Sequence, residues 1–476
     1  MSAADEFARI APTLRRRPDV EAHDLVAADA SDRLILASAG LDHLESAHEM
    51  RTSGTKGRPD RRISAKSAQF AGVVVVGDRY GALALPLAAA GFRVRVHQDA
   101  LSGERAARLN AVEIGLAGPP GDQDERGFSK AADADRIDVP GVSWHALDAD
   151  LLTGATLVLV QLPRSLDALD EMAGLIARHA DPAVRVVAGG RVKHMSPAMN
   201  EVLARHFETV AADRGVGKSR VLRASVPRAR LQGRTERPAA VDESGTEPSA
   251  SDWPRAERDD ATGLTICAHG AAFAGTGVDI GTRLLLSVLD RAPAASRVID
   301  LGCGTGVIAV SYALAHPDAR VIATDQSAAA VASARATVAA NWIASEESAA
   351  VDPEVTAATG DAADAGDTDS RHDRGPSFRV GTTSGVTVIR DDALGAQPDA
   401  SADLVLLNPP FHSGAAVTTE VAPRLFAHAA RVLRPGGELW CVWNSHLRYR
   451  PQLEKLVGTT RQVARNSKFT VTASTR

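Results

Sequence analysis

Two clusters of residues in this chain could carry chemistry. The first is Asp300-Leu301-Gly302-Cys303-Gly304-Thr305-Gly306, followed at a distance by Asp325. A glycine-rich turn between a strand and a helix lets a ligand approach bare backbone and meet the unpaired N–H groups of the helix N-terminus. An acid at the end of the next strand can accept hydrogen bonds from a ribose diol. Together they point to a nucleoside cofactor at the carboxyl edge of a parallel sheet. The second cluster is Asn408-Pro409-Pro410-Phe411. Its prolines lack N–H donors and have a fixed φ, so the segment neither continues a strand nor starts an ordinary helix. It presents an amide side chain, a carbonyl and a ring to a pocket.

The elements around these clusters are those of a doubly wound sheet. Arg297 to Leu301 reads as a short buried strand, Val307 to Leu314 as a helix, and Arg320 to Thr324 as the next strand, ending on Asp325. Val386 to Arg390 is a further strand. Asp403 to Leu407 is apolar after its first residue and should be central, which puts Asn408 beside the glycine turn, where such sheets bind ligands. Either cluster alone could be an unliganded turn, and Phe411 a core residue. Their placement on neighbouring strands of one sheet favours a site.

The glycine spacing narrows the cofactor. A dinucleotide fingerprint needs a third glycine where Val307 stands. The Gly-x-Gly-x-Gly run preceded by Asp300 instead resembles motif I of class I S-adenosylmethionine methyltransferases, whose turn faces the methionine part of the cofactor. The second cluster suits methylation of a planar exocyclic amine, a poor nucleophile because its lone pair is delocalised. The Asn408 oxygen and the Pro409 carbonyl can each accept an N–H and aim that lone pair. Phe411 could stack on the base, worth about 1–3 kcal/mol in single-stranded nucleic acid sites. Alignment and electrostatics are then the main contributions of the protein, and no strong general base is required.

A chain of 476 residues with 44% apolar content has room for two to three globular domains. Its three cysteines, Cys267, Cys303 and Cys441, form no CxxC or Cys/His cluster, so neither a disulfide framework nor a metal site is expected. The acidic start MSAADEFARI lacks the apolar core of a signal peptide, and the apolar run Ala82–Ala90 is too short to span a membrane. These readings favour a cytoplasmic protein without membrane contact. The net charge of −5 argues only weakly against a polyanionic partner, because Ala344 to Gly375 alone carries nine Asp/Glu against two Arg. That acidic stretch lies within a span of about 343–385 that has no apolar period and is expected to be a disordered insert.

The N-terminal half repeats the strand–turn–helix–strand–acid order. Gly72-Val-Val-Val-Val-Gly77 is followed by Asp78-Arg79-Tyr80-Gly81, an apolar helix, the strand Phe92 to His97, and Asp99. Here Arg79 replaces the middle glycine, so the copy has lost its cofactor turn. Strands at Thr156 to Val160 and Arg185 to Ala188 flank a helix reaching His179. Before this unit, Asp24 to Asp29 and Arg33 to Leu36 suggest a small packed subelement mixing helix and strand. The polar stretch His48 to Ser67 holds six basic residues and reads as a connecting loop or a salt-sensitive phosphate contact. The expected organisation is a degenerate domain over 1–225, a Pro/Ser/Arg-rich linker over 226–260, and a catalytic domain over 261–476.

DLGCGTG, NPPFHSG, RVLRPGGELWCVWNSHLRYRPQLEKLVG and NSKFTV resemble the catalytic half of the bacterial rRNA guanine-N2 methyltransferases, and GDRYGALAL, QLPRSLDALD, RVVAGGRVKHMSP and GVGKSRVL resemble the other half. The likeness is greater to the large-subunit branch. It implies an α/β fold of two tandem Rossmann-like class I methyltransferase domains, the N-terminal copy degenerate, with S-adenosylmethionine as cofactor. It also implies ribosomal RNA or an assembling subunit as partner and a chain acting as a monomer. By the same resemblance Asp300, Gly302, Cys303, Gly304 and Gly306 line the methionine end, Asp325 takes the ribose, and Asp392 lies beside the adenine. Asn408, Pro409, Pro410 and Phe411 hold the base, while Phe273 and Asp279 to Thr282 close over the cofactor. His412 and His446 could reach the pocket or serve as turn and capping residues. Asn444, Tyr449 and Lys468 would order a C-terminal strand pair. The N-terminal domain would bind and orient RNA, with Gly190 to His194 and Gly217 to Arg220 as candidate phosphate contacts. The rivals are a protein glutamine methyltransferase, a small-molecule amine methyltransferase and a non-catalytic ribosome-assembly protein. The first usually carries tyrosine where Phe411 stands and lacks the tandem domain.

Overall fold

The computed structural model describes residues 2–21, 25–41, 72–119, 131–228, 253–349, 385–409 and 415–476. Two seven-stranded sheets organise them. The N-terminal sheet comprises β1 (Val73–Val76), β2 (Val94–His97), β3 (Val142–Trp144), β4 (Leu157–Gln161), β5 (Arg185–Arg191), β6 (Phe207–Ala212) and β7 (Ser219–Pro227), in the order β3-β2-β1-β4-β5-β7-β6. A separate hairpin follows, β8 (Arg255–Asp259) with β9 (Leu264–Ala268). The C-terminal sheet comprises β10 (Arg297–Leu301), β11 (Arg320–Asp325), β12 (Val386–Arg390), β13 (Ala402–Leu407), β14 (Leu433–Asn444), β15 (Thr459–Arg465) and β16 (Phe469–Thr475), in the order β12-β11-β10-β13-β14-β16-β15. The two orders are the same. In each sheet the next-to-last strand, β7 or β16, runs antiparallel to both neighbours, and the other pairs are parallel.

Buried β-branched and leucine runs produce this arrangement because parallel strands need apolar cover on both faces. In β1, Val73 and Val75 pack into one core, and Val74 and Val76 into the core on the opposite face. In β13, Leu404 and Leu406 face one layer, Val405 and Leu407 the other, and all four are fully buried. Burying each such side chain contributes about 1.5–3 kcal/mol. The expected pair of Rossmann-like domains is therefore present.

Local expectations fail where apolar periodicity carries no information. Arg33 to Leu36 lies within a helix, Ala30–Ser38, whose start is fixed by a reciprocal Asp29–Asp32 cap with Ser31 N–H bonding Asp29 at 2.6 Å. The stretch expected as linker is shorter than 226–260: β7 runs to Pro227, and β8 begins at Arg255. Most of β8 is exposed and its pairing is with β9 alone, so its sequence shows no buried face. The helix Ala328–Ala349 continues past position 343, where the insert was expected to begin. The rest of that insert, the basic stretch from His48 to Ser67 and most of the linker lie outside the described residues.

The domains meet along the carboxyl end of each sheet. Leu101 N–H bonds the Gln326 carbonyl at 3.0 Å, Ala328 N–H bonds the Asp99 carbonyl at 2.9 Å, and Ala100 and Ser327 form an antiparallel bridge. A second seam joins the helix Leu166–His179 to the end of β9. Glu171 accepts from His269 Nδ1 at 2.6 Å and from Gly270 N–H at 2.8 Å. Gly270 is required there, since a Cβ would stand 2.3 Å from the Asp167 carbonyl oxygen.

Candidate active site

The glycine turn is built by three residues in the left-handed region, Gly302 (φ +72°), Gly304 (φ +55°) and Gly306 (φ +81°). A Cβ at Gly306 would press on Ala334 at 3.0 Å, whereas one at Gly302 or Gly304 would enter open space. That space is a cavity of about 430 Å³ at the carboxyl edge of the C-terminal sheet. Its lining includes Gly302, Gly304, Asp325, Asp392, Asn408 and Pro409.

Its polar groups are held from the backbone. The Thr324 carbonyl accepts from Gly302 N–H (2.8 Å) and Cys303 N–H (2.9 Å), pinning the turn to the end of β11. Asp325 accepts from Ser327 N–H at 2.9 Å and Gly304 N–H at 3.1 Å, one on each oxygen. Burial pushes its carboxyl above the usual range. Asp300 is fully buried. Its Oδ2 takes Ala309 N–H at 3.0 Å, while Oδ1 has no partner among the described residues, as is true of the buried Thr324 Oγ1. Burial raises the Asp300 carboxyl to about 7. At the end of β12, Asp392 pairs with Arg424 at 2.6 Å. Open backbone at two glycines, orphaned buried oxygens and several carboxylates fit a nucleoside ligand that also carries positive charge.

Asn408 is oriented from across the site. Its Nδ2 donates to Asp279 Oδ2 at 3.1 Å and to Thr282 Oγ1 at 2.9 Å. Because the same Asp279 oxygen also accepts Gly281 N–H (2.8 Å) and Thr282 N–H (3.3 Å), it serves as an acceptor and fixes which way the amide points. The amide oxygen is then buried with no partner among the described residues. It can accept one N–H from a ligand.

Most of the sequence-expected residues converge here. Cys303, Phe273 and Asp279 line the cavity, whereas Asp300 and Gly306 belong to the turn without lining it. Cys303 is buried, and burial with the Asp325 and Asp300 charges lifts its thiol far up, so it is no nucleophile. Pro410, Phe411 and His412 lie outside the described residues. His446 sits in the turn Ser445–Leu447 and does not line the cavity. Lys468 does order the final strands, through its carbonyl and Ser445 N–H at 2.8 Å. Tyr449 instead packs edge-on against Phe426 in a core. Thr282 as a partner of Asn408, Arg424, and the N-terminal wall residues Asp19 and Asp99 were missed. Their signals are lone polar residues whose meaning depends on a distant partner.

The N-terminal copy has closed its own turn. Asp78 is buried and accepts Ala84 N–H at 2.8 Å and Leu83 N–H at 3.1 Å, so a carboxylate occupies the helix start. The two stretches expected to contact phosphate lie together, joined by Val192 N–H to the Lys218 carbonyl at 2.9 Å, with Lys193, His194, Lys218 and Arg220 exposed. His194 titrates below the usual imidazole range because of partial burial and the nearby charges of Arg164, Lys193, Arg79 and Arg191. Among the described residues there is no cluster of potential metal ligands, and no helix is long and apolar enough to cross a membrane.

Residues 4–228 match the family described as RLMG N-terminal domain, and residues 263–364 and 378–473 match the Methyltransferase small domain. Similar proteins named ribosomal RNA large subunit methyltransferase G occur in Pseudomonas paraeruginosa, 32% identical over 98% of each chain, and in Streptomyces coelicolor, 34% identical over 96% of each. Among solved structures, the Thermus thermophilus 16S rRNA N2 G1207 methyltransferase RsmC, in complex with AdoMet and guanosine, superposes with a TM-score of 0.58 over 92% of this chain and 93% of that one. At 18% identity this likeness shows a shared two-domain fold.

Proposed function

The chain belongs to the ribosomal RNA large subunit methyltransferase G family, and from that premise we propose that it methylates the exocyclic N2 amine of a guanine in large-subunit rRNA, using S-adenosylmethionine. The observation that carries this reading is the buried Asn408 oxygen, without a partner among the described residues, beside an open glycine turn.

The bound cofactor would supply an electrophilic methyl group on a cationic sulfur. Gly302 and Gly304 would leave room for its amino-acid end, the free oxygen of Asp300 would face that end's positive charge, and Asp325 would take the ribose hydroxyls, with Asp392 on the adenine side. Asn408 would accept one N–H of the guanine amine and the Pro409 carbonyl the other, favouring a pyramidal nitrogen with its lone pair directed inward. An amine that gains a methyl group becomes acidic, so water can take the proton. Pro410 and Phe411 complete the base-holding segment in this proposal. Because the amine is paired or stacked in a duplex, the base must be exposed or flipped, at a cost of a few kcal/mol.

The same reading gives the N-terminal domain the tasks of binding and orienting RNA, supported by the exposed basic turns around Lys193 and Lys218. It has the protein act as a cytoplasmic monomer.

The test is nucleoside mass spectrometry and primer extension on rRNA from cells lacking the gene, complemented with wild type or Asn408→Ala. One N2-methylguanosine should vanish and return only with wild type. Persistence of every rRNA methylguanosine in the deletion strain would overturn the assignment.

A further inference from the structure

The two sheets share one strand order, and each has an acid at or near the end of its second strand: Asp325 closes β11, and Asp99 lies two residues past β2, at the register position of Gln326. In the catalytic domain Asp325 faces the cavity. Asp99 has been turned across the domain boundary. Its Oδ1 accepts Ser327 Oγ–H at 2.9 Å and Ala329 N–H at 2.9 Å, capping the catalytic helix Ala328–Ala349 from the other domain. Ser327 is thus held twice, its N–H by Asp325 and its hydroxyl by Asp99. The contact is clamped from the opposite direction. Arg390, the last residue of β12, donates to the carbonyls of Gln98 (2.7 Å) and Asp99 (3.0 Å) and pairs with Glu104 at 3.0 Å.

The N-terminal domain also reaches the cavity directly. Asp99, Ala100, Asp19 and Val20 are part of its lining. Asp19 is fixed by the Tyr80 hydroxyl at 2.7 Å and by Arg16 at 3.1 Å. Arg424 ties this segment to the catalytic domain, donating to Asp392 at 2.6 Å and to the Pro18 carbonyl at 3.5 Å.

We propose that the N-terminal domain forms one wall of the cofactor site, with Asp99 as a positioning residue that holds the Ser327 turn and through it Asp325, and with Asp19 and Val20 closing the side of the cavity near Asp392. The proposal rests on the S-adenosylmethionine reading of the cavity. The degenerate copy then has a second task besides any contact with RNA: it completes a site in its neighbour. Cofactor affinity reports on the domain contact, and a loosened contact releases cofactor without any change at the glycine turn.

The experiment is isothermal titration of S-adenosylmethionine into the full-length chain, with RNA-independent binding as the readout. Asp99→Ala removes both accepted hydrogen bonds and should weaken binding about tenfold, the effect of losing one cap and the order it imposes. Asp99→Asn keeps an acceptor oxygen and should bind within about twofold of wild type, since capping by Asn and Asp is similar. Its recovery separates hydrogen bonding from charge: a purely electrostatic role would leave Asn as affected as Ala. At saturating cofactor, kcat should be unchanged in both. Val20→Trp tests the wall without touching the cap, and should weaken binding while leaving the melting temperature unaltered. Wild-type affinity in folded Asp99→Ala and Val20→Trp overturns the proposal and leaves the functional reading standing. A wild-type chain that binds no S-adenosylmethionine overturns both.

Discussion

Asp279 and Asn408, 129 positions apart in sequence, meet through a 3.1 Å hydrogen bond in which the amide must be the donor. The Asp279 oxygen already accepts two backbone N–H groups, so the amide presents its nitrogen there and its own oxygen is left buried with no partner among the described residues. The orientation of the Asn408 amide, proposed to receive the substrate amine, is therefore set by the helix start at Asp279 to Thr282.

The second acceptor of that amide, Thr282 Oγ1 at 2.9 Å, provides a clean test. Thr282→Val keeps the shape and removes the acceptor, so the amide is held on one side only. We expect kcat to fall about tenfold with cofactor affinity within about twofold of wild type. Thr282→Ser should restore the rate. An unchanged kcat in the valine variant would show that Asp279 alone suffices.

Gly304 combines a φ of +55° with open space where its Cβ would point. Gly304→Ala should lower stability by about 1–2 kcal/mol through the left-handed backbone. Its Cβ also enters the ligand volume, so cofactor binding should fall by more than the stability loss explains. Calorimetric titration beside a thermal melt separates the two effects.

Asp300 links pH to both stability and binding. Burial lifts its carboxyl to about 7, against about 4 in an unfolded chain. Between these values the native state keeps a proton that the unfolded chain has released. The contribution of this proton to stability is complete below about pH 4 and has been lost once pH passes about 7. Asp300→Asn should therefore melt higher than the cofactor-free wild type, by roughly 5 °C at pH 8 and less at pH 5. On the proposed reading the same substitution should abolish cofactor binding, because the ionised carboxylate would be the form that holds the ligand's cationic group. For wild type, cofactor affinity should rise with pH through about 7. A flat profile from pH 6 to pH 8.5 would remove Asp300 from the binding set.

The basic turns of the N-terminal domain make a salt-dependent prediction. If Lys193 and Lys218 touch phosphates, replacing either with Ala should weaken binding to all RNA sequences and reduce the slope of log affinity against log salt by about 0.7–1. Filter binding at several salt concentrations measures this, and an unaltered slope would place the RNA elsewhere.

The strand core, the glycine turn and the Asn408 position were legible in the sequence because each has a short-range signature: a β-branched run, a glycine spacing, a proline pair. The duplicated order was legible because an acid, Asp99 or Asp325, stands near the end of the second strand in each half. The partners of those residues were not. Thr282, Arg424 and Asp19 act through contacts across long sequence separations, and a single polar residue on a helix or in a loop looks the same whether or not it meets one. β8 escaped notice for the related reason that it buries almost nothing. The Ala30–Ser38 helix was not legible because Leu34-Ile35-Leu36 is too short an apolar run to reveal its period, while the Asp29–Asp32 cap that decides it is polar.

The carboxylate of Asp78, seated at the start of the Ala84–Ala89 helix, makes the division of labour between the halves hard to reverse. To regain a ligand, the first half would have to give up that internal anion, replace Arg79 with a residue that tolerates close approach, and withdraw Asp99 from its post in the neighbouring domain. Asp78 and Asp99 each hold contacts that such changes would break, so the two halves, though built on one strand order, are interlocked parts and neither can stand in for the other.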